Sequence, residues 1–277
     1  MPRPMRFRHT ILCLAVALSC LKYGSGMAHG QSPALPEAQN RPNTQDQQGQ
    51  FSKAILYAIE ALKLSEEEFG RDHRTTARRL NSLAFLYHRQ GNFAEAEPLY
   101  RRSLAIREKV LGPEHPDVAV SLNNLAALYQ AEGNYADAEM LYRRSLAIKE
   151  KELGPEHPRV AANLNSLAAV YQAQGNYAAA ETFYRRSLVI REMALGLHHP
   201  EVAASLSNLA ILYYSQGDYA EAEPLFRRSL AIKEKALGPE NPDVAEVLDS
   251  FAALLRETGR ADEALELESR AQAIRAK

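Results

Sequence analysis

Between residues 115 and 156 the apolar positions fall at helical spacing. Leu122, Leu125, Leu128 and Tyr129 recur at three- and four-residue intervals and form one face. His115-Pro116-Asp117 marks the start of this helix, because proline at the first helical position gives up only an N–H that would have had no partner. Gly133 can take the left-handed conformation that stops it, and Asn134 can cap the helix that follows. That second helix is expected from about Tyr135 to Lys151. Tyr135, Ala138, Leu141, Tyr142 and Leu146 form its inner face, and Leu153-Gly154-Pro155-Glu156 closes it.

The same pattern returns every 42 residues. Segments 73–114, 115–156, 157–198 and 199–240 align without gaps, and 241–277 is a shortened fifth; residues 115–156 and 157–198 agree at 27 of 42 positions. Two antiparallel helices cannot bury both apolar faces alone, but stacked copies can. Small residues at fixed places permit close contact: Ala84, Ala126, Ala168 and Ala210 on the first helix, and Ala96, Ala138, Ala180 and Ala222 on the second. Tyr87, Tyr129, Tyr171 and Tyr213 read as core packing. Pro98 and Pro224 should bend their second helices without ending them.

Leu122, Leu125-Ala126, Tyr129, Gly133, Tyr135, Ala138, Tyr142 and Leu146, followed by Leu153-Gly154-Pro155-Glu156-His157-Pro158, resemble the tetratricopeptide repeat in its 42-residue, kinesin-light-chain-like form. The resemblance covers roughly residues 48–277. It implies an all-α fold, a right-handed superhelical solenoid of stacked antiparallel helix pairs, and a scaffold that serves protein or peptide partners. The ends depart from the pattern. Residues 48–72 hold Gly49, Phe51, Ala54, Ala61 and Leu62, which match a second helix whose own first helix is missing. At the other end Ala261 and Glu268 replace the repeated aromatics, as a solvent-facing cap over 241–277 requires. The array is expected to be the whole folded protein.

Ahead of the array, Arg3, Arg6 and Arg8 precede an apolar run from Ile11 to Leu21, and Gly24-Ser25-Gly26-Met27-Ala28-His29-Gly30 follows. A basic start, a run too short to span a bilayer and a small-residue exit read as a secretory signal peptide over residues 1–28. Cleavage is expected after Ala28 or Gly30. Two alternatives stay open: a lipoprotein modified at Cys20 in Ala17-Leu18-Ser19-Cys20, and an uncleaved anchor. In either case the chain would be held at a membrane; otherwise it is exported to a periplasmic or extracellular space. Residues 29–47, rich in Gln, Pro and Asn, read as a disordered tether.

Charge and composition narrow the function. Lys and Arg total 33 against 34 Asp and Glu, a formal charge of −1. Removal of Arg3, Arg6, Arg8 and Lys22 with the signal takes the formal charge to −5, which argues against a nucleic-acid partner. The two cysteines, Cys13 and Cys20, both lie in the signal region, so no disulfide framework or cysteine zinc site is expected. His115, His157 and His199 recur too far apart to share an ion and read as residues at helix starts. Arg101-Arg102, Arg143-Arg144, Arg185-Arg186 and Arg227-Arg228 follow Glu97, Glu139, Glu181 and Glu223 at i, i+4, so a self-neutralised face is expected rather than a phosphate stripe. Phosphate-binding glycine loops, His-Glu-x-x-His and Gly-x-Ser-x-Gly are all missing from the sequence, and neither an enzyme nor a cofactor is expected.

One constellation points to binding. Asn81, Asn123 and Asn165 share a first-helix position that Ser207 and Asp249 continue, beside Ser82, Asn124, Ser166, Asn208 and Ser250. Asn is a middling helix former, so its repetition mid-helix needs a reason. The resemblance implies that the first helices line a concave groove in which such amides grip a peptide main chain, each offering a donor and an acceptor. The alternative is that they bond neighbouring helices inside the stack. Arg78, His88 and Arg89 make the first unit basic, Glu246, Asp249 and Glu257 make the last acidic, and Gln130 and Gln172 add neutral polar contacts above Ala127, Ala169 and Ala253. A non-catalytic binder of a protein or peptide is the expectation, with a self-associating envelope component as the alternative.

Overall fold

A computed structural model describes residues 44–276 of the chain. The expected signal peptide and residues 29–43 of the expected tether lie outside the described residues. Among the described residues there are eleven helices and no strand. They are α1 (Thr44–Phe69), α2 (Arg74–Gln90), α3 (Phe93–Leu111), α4 (Pro116–Ala131), α5 (Tyr135–Leu153), α6 (Pro158–Ala173), α7 (Tyr177–Leu195), α8 (Pro200–Gln216), α9 (Tyr219–Leu237), α10 (Pro242–Glu257) and α11 (Ala261–Arg275). The architecture is an all-α repeat solenoid in which consecutive helices pack pairwise. The helices fall into two compact units, one ending at Glu152 and the other beginning at Leu153.

The helix starts are built by side chains. His115 Nδ1 accepts the Asp117 N–H at 3.0 Å, His157 Nδ1 that of Arg159 at 3.1 Å and His199 Nδ1 that of Glu201 at 3.2 Å. Asn241 does the same for Asp243 at 2.9 Å. Each satisfies an N–H that the helix leaves orphaned, so the recurrent histidines are caps. The helix ends use glycine in two conformations. After first helix α8, Gly217 sits at φ 85°, ψ 6°, the ordinary left-handed stop. After second helix α7, Gly196 sits at φ 85°, ψ 157°, a region that side chains other than hydrogen scarcely enter.

The N-terminal boundary differs from expectation. Helix α1 starts at Thr44, inside the segment 29–47 read as tether, and passes through Gly49 without a turn. Residues 44–50 hold no proline and four glutamines, a good helix former, so the helix extends upstream once Pro42 is behind it. Pro98 and Pro224 lie within continuous helices α3 and α9, so neither ends its helix.

In the first unit α2 packs on α1 and α3, and α3 on α4. Ala77, Leu80 and Ile106 form one core cluster, against which Leu62 and Leu99 pack. Leu62 comes from α1, so the cluster joins one repeat to the next. The second unit repeats this with Val202, Ala203, Leu206 and Ile232, and again with Val244, Ala245, Leu248, Ala271 and Ile274. Full burial of Ala84, Ala96, Ala126, Ala138, Ala168, Ala180, Ala210 and Ala222 fits the close approach read from the sequence.

Polar groups inside the stack are paired with the same regularity. Ser103, Ser145, Ser187 and Ser229, all fully buried, donate to the carbonyls of Ala77, Ala119, Ala161 and Ala203 at 2.7–2.9 Å. Between repeats, Arg107 Nη1 donates to Asp117 O at 2.8 Å and Ser121 Oγ at 3.0 Å. Arg191 makes the same pair of bonds to Glu201 O and Ser205 Oγ. These bonds tie a second helix to the first helix that follows it, and their charge-assisted character makes them stronger than neutral ones.

Candidate functional site

The outer charges behave as two separate sets. Arg101, Arg143, Arg185 and Arg227 pair with Glu97, Glu139, Glu181 and Glu223 at 2.6–2.9 Å within their own helices. The second arginine of each pair reaches back to the preceding repeat: Arg102 to Glu66 at 2.6 Å, Arg144 to Glu108 at 2.6 Å and Arg228 to Glu192 at 2.7 Å. Tyrosine joins the first set. Tyr129 Oη donates to Glu97 Oε1 at 2.8 Å, and Tyr213 Oη to Glu181 Oε1 at 2.8 Å. The hydrogen bonds from Arg101 and Tyr129 hold Glu97 below the usual carboxylate range, while burial pushes the Tyr129 phenol up to about 12. Tyr129 and Tyr213 are thus core residues whose hydroxyls clip each to the preceding repeat, whereas Tyr87, expected in the core with them, is only half-buried.

The first helices carry the residues singled out for binding, and the structure divides them. Asn81 Oδ1 accepts from Asn124 Nδ2 of the following first helix at 3.0 Å. Ser207 Oγ bonds Ser229 Oγ at 2.7 Å, and Asp249 pairs with Arg275, so both turn toward the second helix of their own repeat. Gln130 Oε1 accepts from Tyr142 Oη at 3.1 Å. Gln172 accepts from Tyr184 Oη at 3.2 Å and donates to Ser215 Oγ at 3.4 Å. Asn123 is half-buried and makes no hydrogen bond among the described residues, and buried Asn165 has its Oδ1 without a partner. Within the ladder these two amides keep hydrogen-bonding capacity.

Arg78 and Arg89 are exposed on α2 and form no ion pair among the described residues. Ser82 and Phe85 lie between them at i, i+4, i+7 and i+11, all exposed, so the four make one stripe about 16 Å long. Val120 is exposed on α4, the next first helix, which touches α2. Sequence reasoning found Arg78 and Arg89 but missed Phe85 and Val120; Val120 stands one 42-residue period after Arg78, so its register matched that of a residue already singled out. His88 is the exception in this group. It is buried, in edge contact with Phe93 and Tyr100, and burial reinforced by Arg89 lowers its pKa to about 4. Tyr100 Oη, which would face a Gln at this position in later repeats, has no hydrogen-bond partner.

Among the described residues no cluster of three His, Cys, Asp or Glu side chains could hold a metal ion, and no helix is long and apolar enough to cross a membrane.

Comparison with known proteins agrees with this geometry. The tetratricopeptide repeat family model matches residues 46–109, 79–151, 117–193, 159–235 and 201–277. No curated protein matches the chain. Among solved structures, BtubC (BKLC) from P. vanneervenii is 28% identical, with 83% of this chain and 91% of that one covered and a TM-score of 0.67. A putative kinesin light chain from Podosopora anserina, with nearly identical TPR-like repeats, is 33% identical over 74% of this chain and 97% of that one, at a TM-score of 0.62. The apo form of RapI, at 17% identity and a TM-score of 0.59 over 84% of this chain and 95% of that one, shares the fold. With the family model spanning the array end to end, the chain belongs to the tetratricopeptide repeat family, in its kinesin-light-chain-like form.

Proposed function

We propose that this chain is a non-catalytic, exported scaffold that binds a protein or peptide along the exposed face of its first helices. Proteins of this repeat family are generally non-catalytic scaffolds, and the fold is consistent with protein binding. The observation that carries the reading is a contrast in charge pairing. Arginines of the second helices are matched by glutamates, whereas Arg78 and Arg89 flank exposed Phe85 on α2 and are matched by none among the described residues. Asn123 on neighbouring α4 adds an amide able to bond a main chain. Export rests on the N-terminal sequence.

The experiment is crosslinking of the native protein in its own compartment, followed by mass spectrometry of what is attached. Intact mass should give a mature N-terminus at His29 or Gln31; retained, acylated Cys20 would replace plain export with lipid anchoring. For a captured partner, Asn123→Ala should weaken binding up to about tenfold with the melting temperature unchanged, the equivalent of one hydrogen bond of about 0.5–1.5 kcal/mol. Arg78→Glu with Arg89→Glu should act on association rate and salt dependence. Unchanged affinity in both variants would refute the binding face.

A specific observation favours a second reading in part. The Asn124–Asn81 hydrogen bond spans two first helices, which is what an internal ladder of a structural component would do. On that reading Asn81→Ala lowers the melting temperature, and no partner depends on Asn123.

A further inference from the structure

Among the described residues, helix α1 leaves exposed a face that later second helices pack on the first helix of their own repeat. In later repeats the second helix packs on the first helix of its own repeat through two recurring positions. Leu99 and Ile106 pack on Ala77 and Leu80, and Leu225 and Ile232 pack on Val202, Ala203 and Leu206. The same two positions in α1 are Tyr57 and Leu64. Ile106 and Ile232 are each 4% exposed, but Tyr57 is 72% and Leu64 56% exposed. The opposite side of α1 is spent on α2, with Ile55 and Ser65 buried. In the 42-residue frame Ala38, Arg41, Thr44 and Gln45 stand where Leu122, Leu125, Leu128 and Tyr129 would make a first helix, and Pro36 and Pro42 interrupt them. Thr44 and Gln45 are in any case the start of α1 itself.

In α11, Glu268 stands in place of the aromatic of earlier second helices and accepts from Arg256 at 2.7 Å. On α1, Tyr57 and Leu64 are exposed apolar side chains seven residues apart on one flank. Such a pair on a terminal helix marks an interface. Its flanking charges say which kind. Lys53, Tyr57, Glu60, Ala61, Leu64 and Glu68 form one stripe of α1 about 22 Å long. Lys53 and Glu68 are exposed and form no ion pair among the described residues. The stripe is complementary to itself when reversed: an antiparallel copy sets Tyr57 against Leu64, Leu64 against Tyr57, Glu60 beside small Ala61, and Lys53 against Glu68 at both ends. An isologous two-fold contact requires this reciprocity, each residue meeting a partner that meets it in return.

We infer that the protein self-associates through α1, two copies packing their α1 helices antiparallel about a two-fold axis near residues 60 and 61. The contact involves one helix from each copy, at the small end of specific interfaces, so the dimer is weak and forms as concentration rises. The surface lies on the helix flank opposite α2 and is independent of the partner-binding face.

Sedimentation equilibrium of the full-length chain across a concentration series tests this, with circular dichroism to confirm helix content. Dimer formation should be lost in Tyr57→Asp with Leu64→Asp, and both positions are exposed enough for that variant to fold. Lys53→Glu alone and Glu68→Lys alone should each weaken the dimer by about tenfold, since each places like charges at both ends. Mixing the two single variants should restore association, because in the mixed dimer every end pairs Glu with Lys. A monomer at all concentrations would overturn the inference. So would an oligomer that survives Tyr57→Asp with Leu64→Asp, or a mixture that associates no better than its components.

Discussion

Two glycines that look alike in sequence should respond differently to a side chain. Gly196 and Gly217 both have φ 85°, but ψ is 157° at Gly196 and 6° at Gly217. A Cβ built at either position meets nothing within 4 Å, so packing drops out and the backbone alone decides. At Gly217 an alanine enters the left-handed helical well at a cost of about 1–2 kcal/mol. It regains about 0.4–1 kcal/mol by restricting the unfolded chain, leaving a net loss near 1 kcal/mol or less. At Gly196 the conformation is one that only glycine populates freely, at the upper end of about 1–3 kcal/mol, so the net loss is about 2 kcal/mol. Asparagine separates the two further. It tolerates the left-handed well, so Gly217→Asn should be nearly neutral, whereas Gly196→Asn should be as damaging as Gly196→Ala. Thermal melting of the four variants is the assay, with Gly196→Ala lowering the midpoint by about 4–8 °C and Gly217→Asn by about 2 °C or less. Equal shifts at the two glycines, or recovery by asparagine at Gly196, would refute the assignment of two distinct turn conformations.

Acid should act through His88, whose pKa in the folded chain is about 4 against an ordinary 6.5. The unfolded chain takes up a proton as pH falls through 6.5 and the folded chain does not until about 4. Stability is therefore lost across that interval, by about 3 kcal/mol in full. His88→Gln should flatten denaturation midpoints measured between those pH values and raise them, because Gln130 and Gln172 show that a Gln here accepts from the tyrosine that Tyr100 represents; an unchanged pH slope would remove His88 as the cause. Arg191, 1% exposed, should cost about 3 kcal/mol as Ala because Glu201 O and Ser205 Oγ lose their donor. The Arg191→Lys, Ser205→Val double variant should recover most of that loss on melting, since Lys233 and buried Val247 occupy the equivalent places one repeat later and Lys233 donates to Asp243 O at 3.1 Å.

The fold was legible because each repeat states it again. A single Leu122–Leu125–Tyr129 face would have been ambiguous, but four copies in register, punctuated by His-Pro starts and glycine stops, leave few arrangements that bury every face. The caps were legible in place though not in chemistry: the sequence put His115 at a helix start, and the structure supplies the Nδ1 bond to Asp117 N–H. Arg102 and its equivalents were half read. Local i, i+4 spacing exposes a pairing such as Glu97 with Arg101, but a contact from Arg102 back to Glu66 crosses a repeat boundary that spacing alone does not measure. Helix α1 ran past its expected start for a related reason, since Gly49 matches the turn glycine in register but lies inside a continuous helix.

The candidate site was less legible, and the cause is the repeat itself. Periodicity reports that Asn81, Asn123, Asn165, Ser207 and Asp249 share one position on the first helix, and so invites one role for all five. A position shared in register does not fix a shared partner, because the neighbours change from repeat to repeat. Asn81 meets Asn124, Ser207 meets Ser229 and Asp249 meets Arg275, which leaves Asn123 and the Asn165 carbonyl oxygen with bonds still to make. The residues that give the first unit its character break the period: Phe85 where later repeats have Ala127 and Ala169, His88 where they have Gln130 and Gln172, and Arg78 and Arg89 where the last has Glu246 and Glu257. In a repeat array the conforming positions specify the stack. On the proposed binding reading, specificity for one partner resides in the positions that do not conform, of which Arg78, Phe85 and Arg89 lie on α2.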